Sequence, residues 1–242
     1  QADITVDAQT YNLNFVKSLL PASAAKAINI PSGISLKGNF RANGTRYATR
    51  FVAAQGGGSV TGNATFDSRL LAYDAQLKVN SLQLNNFLPS MPLRPFSGTL
   101  TAKGAGVDFL SPRTHLNAHG TVEQFAYDNY DLSNMQLSAN VHNGTGHALL
   151  QSHTPLIDGT IDLTALLSRT RVDARLVCDL IKADFMRMGL TKRPCSASLT
   201  ADVSMKSNVV SDHSVKGRIG SIVIRDSANA YRPENVNIDC FT

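Results

Sequence analysis

The stretch Leu199-Thr200-Ala201-Asp202-Val203-Ser204-Met205 places apolar and polar side chains in strict alternation. Successive side chains of a β-strand point to opposite faces of the sheet, so this stretch forms one apolar face and one polar face. The same period of two recurs elsewhere along the chain, in residues 34–40, 100–104, 116–122, 135–141 and 161–165. The pattern predicts a chain built mainly of half-buried strands.

Short turn signals separate these strand segments. Asn43-Gly44, Gly56-Gly57-Gly58, Asn143-Gly144 and Asp158-Gly159 are typical of tight hairpins, which need positive φ angles. We therefore predict an all-β fold, an elongated, curled, mostly antiparallel sheet of many short strands that resembles a half-barrel. One or two short helices are expected near residues 14–29, where Pro21 would interrupt a single long helix.

Composition excludes several classes of protein. The chain has 242 residues, of which 43% are hydrophobic and 17% are charged, so it has ample apolar residues for folding. Its net charge of +5 is scattered, and it has no Trp, so a nucleic-acid partner is not expected. No stretch approaches the ~20 apolar residues of a membrane-spanning helix.

An internal repeat links two distant segments. Tyr73–Ala102 and Val172–Ala201 align without gaps at an offset of 99, with identical residues at nine of thirty positions. We interpret this as a weak repeat with units at about 30–130 and 131–242. Both chain ends interrupt strand-like sequence, so we expect residues 1–242 to be a fragment of a longer β-repeat protein.

The three cysteines, Cys178, Cys195 and Cys240, do not form the even set typical of a disulfide framework. We interpret Cys178 and Cys195 as small core residues. A Cys178–Cys195 bridge in an oxidising compartment is the alternative that the sequence leaves open.

Candidate chemistry is sparse. His115 and His119 share a strand face and would need a third metal ligand, such as Asp108 or Glu123, so we interpret them as part of a polar face. Asp74 and Asp173 recur in the repeat and are expected to cap turns or orient backbone amides. No nucleophile elbow or phosphate-binding loop occurs. We predict a protein that is not an enzyme and has no metal or other cofactor, and we rank a hydrolase last.

Three longer runs resemble a known family. They are Ala27-Ile28-Asn29-Ile30-Pro31-Ser32-Gly33-Ile34-Ser35-Leu36-Lys37-Gly38, then Phe87-Leu88-Pro89 with Phe96-Ser97-Gly98-Thr99-Leu100-Thr101-Ala102-Lys103-Gly104, and Tyr127-Asp128-Asn129-Tyr130-Asp131-Leu132-Ser133-Asn134-Met135-Gln136-Leu137-Ser138-Ala139. Together they are similar to the TamB/AsmA-like envelope proteins of diderm bacteria. The resemblance extends from about Ala27 to Leu199 and rests on loose patterns.

The resemblance implies a location and a function. Members of this family are anchored in the inner membrane and span the periplasm, and their curled sheets form an apolar trough, the β-taco. The trough is thought to carry phospholipid acyl chains towards the outer membrane. TamB also partners an outer-membrane barrel assembly protein, a contact that here would involve regions outside this chain.

Combining the alternation with the resemblance predicts a lipid groove. Its expected lining is Leu100, Ala102, Leu116, Ala118, Leu137, Ala139, Leu163, Leu176, Leu199, Ala201, Ile222 and Ile224. The alternative is that these side chains form a closed core. The protein would then be a structural or adhesive β-repeat module that binds proteins through its loops.

Overall fold

A computed structural model describes residues 1–10, 29–208 and 210–241. The predicted helices near residues 14–29 lie almost entirely outside the described residues. Elsewhere the chain is strand, apart from turns, loops and one four-residue helix that the sequence analysis missed. The prediction of an all-β, antiparallel fold is confirmed.

The chain divides into two compact units. Unit 1 comprises residues 1–103 and 120–133, and unit 2 comprises residues 104–119 and 134–242. The predicted repeat units, 30–130 and 131–242, stay a prediction. The two repeat segments do hold similar elements, because each contains a strand, a connection and the start of a second strand.

The elements of unit 1 are β1 (Ala2–Thr10), β2 (Ile34–Asn43), β3 (Arg46–Gln55), β4 (Gly58–Asp67), β5 (Ala72–Leu82), α1 (Leu84–Phe87), β6 (Phe96–Ala105), β7 (His115–Gln124), β8 (Ala126–Tyr127) and β9 (Tyr130–Asp131). Strands β1 to β7 pair in sequence order, so each strand reverses the direction of the last, whereas β8 and β9 form a separate two-stranded sheet. The loop end of β6 and β7 belongs to unit 2.

Unit 2 contains strands of 2 to 14 residues. These are β10 (Met135–His142), β11 (Thr145–His153), β12 (Ile157–Leu167), β13 (Val172–Asp184), β14 (Cys195–Ser207), β15 (His213–Asp226), β16 (Ala230–Tyr231) and β17 (Val236–Phe241). Strands β10 to β16 pair in sequence order, and β17 pairs with β15 beside β16. Among the described residues β17 does not pair with β10, so this sheet does not close on itself.

Turn chemistry explains two of the tight hairpins. Asn143 and Gly144 have φ angles of 51° and 73° between β10 and β11, and Gly56 and Gly57 have φ angles of 56° and 86° between β3 and β4. Two consecutive positive φ angles are the signature of the type I′ turn, whose twist matches that of the flanking strands. Both turns were predicted from the sequence.

The turn prediction at Asp158-Gly159 is wrong. Both residues lie inside β12, where the register with β13 shifts. A Cβ added to Gly159 would lie 2.4 Å from the Asp179 carbonyl oxygen, so this glycine allows close approach of β13. The turn into β12 lies just before it, where the Thr154 hydroxyl accepts from the amide of Ile157 at 3.0 Å.

Fully buried side chains are scarce. Leu156, Ala183 and Ala197 are the buried hydrophobic residues among the described part of the chain. A sandwich or closed barrel of this size would bury many large apolar side chains between its layers. The described residues therefore form no large apolar core between two packed layers.

Candidate functional site

The strand registers place most of the apolar side chains of strands β1 to β5 on one side of unit 1. Directly paired residues share a face, and the pairing can be followed from Ile4 to Phe40 and from Gly38 through Phe51 and Gly62 to Leu77. We call this the apolar face of unit 1. Its members include Ala2, Ile4, Val6, Ala8, Ile34, Leu36, Gly38, Phe40, Ala42, Tyr47, Thr49, Phe51, Ala53, Val60, Gly62, Ala64, Phe66, Tyr73, Ala75, Leu77 and Val79.

Aromatic rings gather at one end of this face. Tyr47, Phe66 and Tyr73 are consecutive register partners on β3, β4 and β5. The ring centroids of Tyr47 and Phe66 are 6.3 Å apart, and Phe40 lies 6.2 Å from Tyr47. The middle of the face is filled differently, because the Phe51 ring lies across Gly62, where an added Cβ would be 2.5 Å from Phe51 Cε1.

Unit 2 has an equivalent apolar face. Leu137 pairs with Leu150, which pairs with Ile161, and Leu163 pairs with Leu176, which pairs with Val203. We call this the apolar face of unit 2. Its members include Leu137, Ala139, Val141, Ala148, Leu150, Ile157, Ile161, Leu163, Ala165, Ala174, Leu176, Cys178, Leu180, Ala183, Ala197, Leu199, Ala201, Val203, Met205, Val215, Ile219, Ile222, Ile224 and Ile238.

Eight of the twelve predicted lining residues lie together on the apolar face of unit 2. They are Leu137, Ala139, Leu163, Leu176, Leu199, Ala201, Ile222 and Ile224. The last two reach this face because the register shifts between Ser198 and Thr200, where β15 carries Ser221 with a φ of 51°. The extra residue restores Ile222 and Ile224 to the apolar side.

The other four predicted residues lie on β6 and β7. In unit 1, the Lys103 ammonium lies 3.2 Å from the Asp74 carboxylate, so Lys103 is on the polar side of β6. Leu100 and Ala102 alternate with Lys103 and therefore lie on the opposite, apolar side. In unit 2, Leu116 and Ala118 are half-buried, whereas the alternating polar residues of β7 between 115 and 119 are exposed.

These apolar faces are partly open to solvent. Ile4 is 51% exposed, Leu137 is 50% exposed and Leu100 is 46% exposed. Large apolar side chains on the inner face of a sandwich would be almost fully buried. Exposed apolar patches of this kind are typical of surfaces that contact a protein, a membrane or an apolar ligand.

The opposite faces carry the charges. In unit 1, Lys37 pairs with Asp7 and Arg41 with Asp3 across β1 and β2. In unit 2, both guanidinium Nε and Nη2 of Arg175 donate to Asp202, at 2.9 and 2.6 Å. This hydrogen bonding lowers the pKa of Asp202 below its ordinary value. Each sheet therefore has one ion-paired, hydrated side and one apolar side.

No protein family, curated protein or solved structure matches this chain. The geometry of the two faces is therefore the basis for assigning a function. Among the described residues, no helix is both long and apolar enough to cross a bilayer.

The residues considered for chemistry are not brought together. Among the described residues, no three His, Cys, Asp or Glu side chains lie close enough to hold a metal ion. Asp74 pairs with Lys103 and Asp173 pairs with Arg171, so each carboxylate of the repeat is engaged by a neighbouring cation on its polar face.

The cysteines are free, and the bridge alternative is wrong. Cys178 pairs with Ala201 in the register of β13 and β14, whereas Cys195 begins β14 six residues earlier. Six strand residues span about 20 Å, far beyond the reach of a disulfide. Cys178 is half-buried on the apolar face of unit 2, and burial, with Asp179 nearby, raises the pKa of its thiol.

The sequence analysis missed the apolar face of unit 1. None of its members in β1 to β5 was predicted as lining, although residues 2–8 alternate as cleanly as β14 does. In β3 the signal is weaker because Ala48, Val52 and Ala54 place apolar groups on the polar side as well. The pairing of β3 with β2 and β4 shows that those three residues lie on the opposite side of the sheet from Phe51 and Tyr47.

Proposed function

We propose that this chain is a non-enzymatic segment of a bacterial envelope protein, located in the periplasm, whose apolar sheet faces bind the acyl chains of phospholipids. One observation carries the proposal: the apolar faces lack a covering layer among the described residues. The side chains remain half-exposed where a closed β-protein would bury them.

The physical chemistry of these faces favours a flexible apolar ligand. Leu, Ile, Val, Ala and Phe side chains offer no hydrogen bonds to specify a particular molecule, and the ion pairs lie on the opposite face. Each methylene that an acyl chain removes from water contributes about 0.8 kcal/mol. A chain of methylenes lying across several strands would therefore bind without any specific polar contact.

The resemblance to TamB/AsmA-like proteins supports the same ligand. It also supplies the envelope setting: an inner-membrane anchor and an outer-membrane barrel assembly partner, both involving regions other than these strands. Movement of lipid, or help in outer-membrane assembly, would then be a property of the longer protein to which this segment belongs.

Lipid retention tests the proposal directly. The protein is purified gently, extracted, and compared by mass spectrometry with a mock purification. We expect phospholipid at a reproducible molar ratio. Its consistent absence would argue for a structural or adhesive β-repeat module instead.

A matched pair of variants locates the binding surface. Leu163 lies on the apolar face of unit 2 and is 39% exposed, and its neighbour Thr164 points to the opposite side of β12. We expect Leu163→Asp to weaken binding of a fluorescent fatty acid at least tenfold, because a carboxylate would meet the acyl chain. Thr164→Asp places the same charge on the hydrated face and should leave binding unchanged. Equal effects would reject the assignment of this face.

A further inference from the structure

The loop between β6 and β7, residues 106–114, displays apolar side chains at its tip. Val107 is 70% exposed, Phe109 is 45% exposed and Leu110 is 42% exposed. Three large apolar side chains within four residues form a concentrated exposed patch on a loop, where polar residues are the rule. The proposed acyl-binding faces do not include them.

The loop is held by its own polar groups. The Thr114 hydroxyl donates to the Asp108 carbonyl at 2.6 Å, and the Leu110 amide donates to the Asp108 carboxylate at 3.1 Å. Gly106 has a φ of 83° and lies against Thr114, which is only 2% exposed. Thr114 is therefore buried beneath the loop, whereas Val107, Phe109 and Leu110 project outward.

Cationic groups flank this apolar tip. Asp108 Oδ2 lies 3.7 Å from Arg169 Nη2, which places the loop beside the β12–β13 turn of unit 2. Arg113 is exposed and its side chain forms no ion pair with the described residues. Two guanidinium groups and one carboxylate leave a local positive charge next to the apolar side chains.

We propose that this loop inserts into the surface of a bilayer that contains anionic phospholipid. Val107, Phe109 and Leu110 would enter the boundary between headgroups and acyl chains, and Arg113 and Arg169 would contact lipid phosphates. The apolar side chains project from a loop tip, which suits penetration of a fluid surface. The flanking charge has the sign that an anionic membrane attracts.

A single tryptophan tests this proposal. The chain contains no Trp, so Phe109→Trp creates a unique fluorescent reporter at the tip. With mixed phosphatidylglycerol and phosphatidylcholine vesicles, we expect its emission to shift to shorter wavelength and to be quenched by brominated lipid. Unchanged emission at saturating vesicle concentration would overturn the proposal.

The matched control is a tryptophan at the other end of the strands. Leu190 is also 70% exposed, but it lies in the connection from β13 to β14, at the opposite end of β13 from Arg169. Leu190→Trp should show neither the shift nor the quenching. Equal responses from the two reporters would indicate general adsorption and would reject a specific insertion loop.

Substitutions in the loop separate its apolar and charged contributions. Val107→Ser combined with Leu110→Ser should reduce partitioning into the mixed vesicles at least tenfold. Arg113→Gln should reduce it about fivefold and should have no effect with phosphatidylcholine alone. Fatty-acid binding should be unchanged in all these variants, which separates this inference from the proposed acyl site. Partitioning unaffected by the double substitution would contradict the proposal.

Discussion

Gly62 shows how a single residue fits the apolar face of unit 1. It has no side chain, and the Phe51 ring and Leu77 methyl occupy the space above it, with Phe51 Cζ 2.6 Å and Leu77 Cδ2 2.8 Å from where a Cβ would lie. Glycine inside a strand weakens the strand locally. Here the aromatic ring from the neighbouring strand covers the exposed backbone.

We therefore expect Gly62→Ala to destabilise the protein. The added methyl must displace the Phe51 ring, and overpacking of this kind costs about 1–3 kcal/mol. The measurement is the free energy of unfolding in urea. Gly146→Ala is the matched control, because the nearest atom to its added Cβ is 3.9 Å away. A Gly62→Ala protein as stable as Gly146→Ala would show that the ring moves freely.

At the scale of elements, strand pairing sorts the side chains. On the polar sides, ion pairs link several pairs of neighbouring strands, such as β13 and β14 through Arg175 and Asp202. The paired apolar residues of the same strands lie on the other side. A shift of one residue in register would exchange the two sets, so the ion pairs and the turns help to hold the register.

The Arg175–Asp202 pair predicts a pH dependence. The hydrogen bonds from Arg175 lower the pKa of Asp202 in the folded state. The ion pair therefore contributes its full stabilisation at pH values above the pKa of Asp in the unfolded chain, about 3.9. This stabilisation is lost as the pH falls through the pKa of Asp202 in the folded protein. Near neutral pH, we expect the Asp202→Asn protein to have a lower urea midpoint of unfolding than the natural chain. The difference between the two midpoints should disappear on acidification.

The control for this prediction lies on the same face. Asp179 is a neighbour on β13 and forms no ion pair with the described residues, so Asp179→Asn removes one negative charge without breaking such a pair. The difference in urea midpoint between the Asp179→Asn protein and the natural chain should not disappear on acidification in this way. A pH-independent difference for Asp202→Asn would mean that its effect arises from packing.

At the scale of the whole molecule, the described residues do not form the large buried core that stabilises most proteins of this length. Three apolar side chains are buried in the described part, while many large ones stay exposed. A ligand that covers these faces would therefore supply the hydrophobic contact that a second protein layer provides elsewhere.

We expect a long-chain fatty acid to raise the thermal unfolding midpoint of the lipid-free protein. A ligand that binds only the folded state adds about 2.7 kcal/mol at a concentration one hundred times its Kd, which corresponds to a shift of several degrees. Palmitate should raise the midpoint, whereas butyrate, which carries the same carboxylate on few methylenes, should not. Equal shifts from both would point to an effect of the carboxylate.

The sequence by itself determined the strands, the tight hairpins at Asn43-Gly44, Gly56-Gly57 and Asn143-Gly144, and the membership of one face in unit 2. Alternation has a period of two, and this period places side chains on a face whatever the tertiary structure is. Leu163, Leu176 and Leu199 were therefore predictable as a set. The tertiary structure decided which residues face each other and whether anything covers them. The sequence predicts a turn at Gly159, but in the structure this glycine lies inside β12 and allows close approach of β13. The apolar faces stay partly exposed because no other described element packs against them.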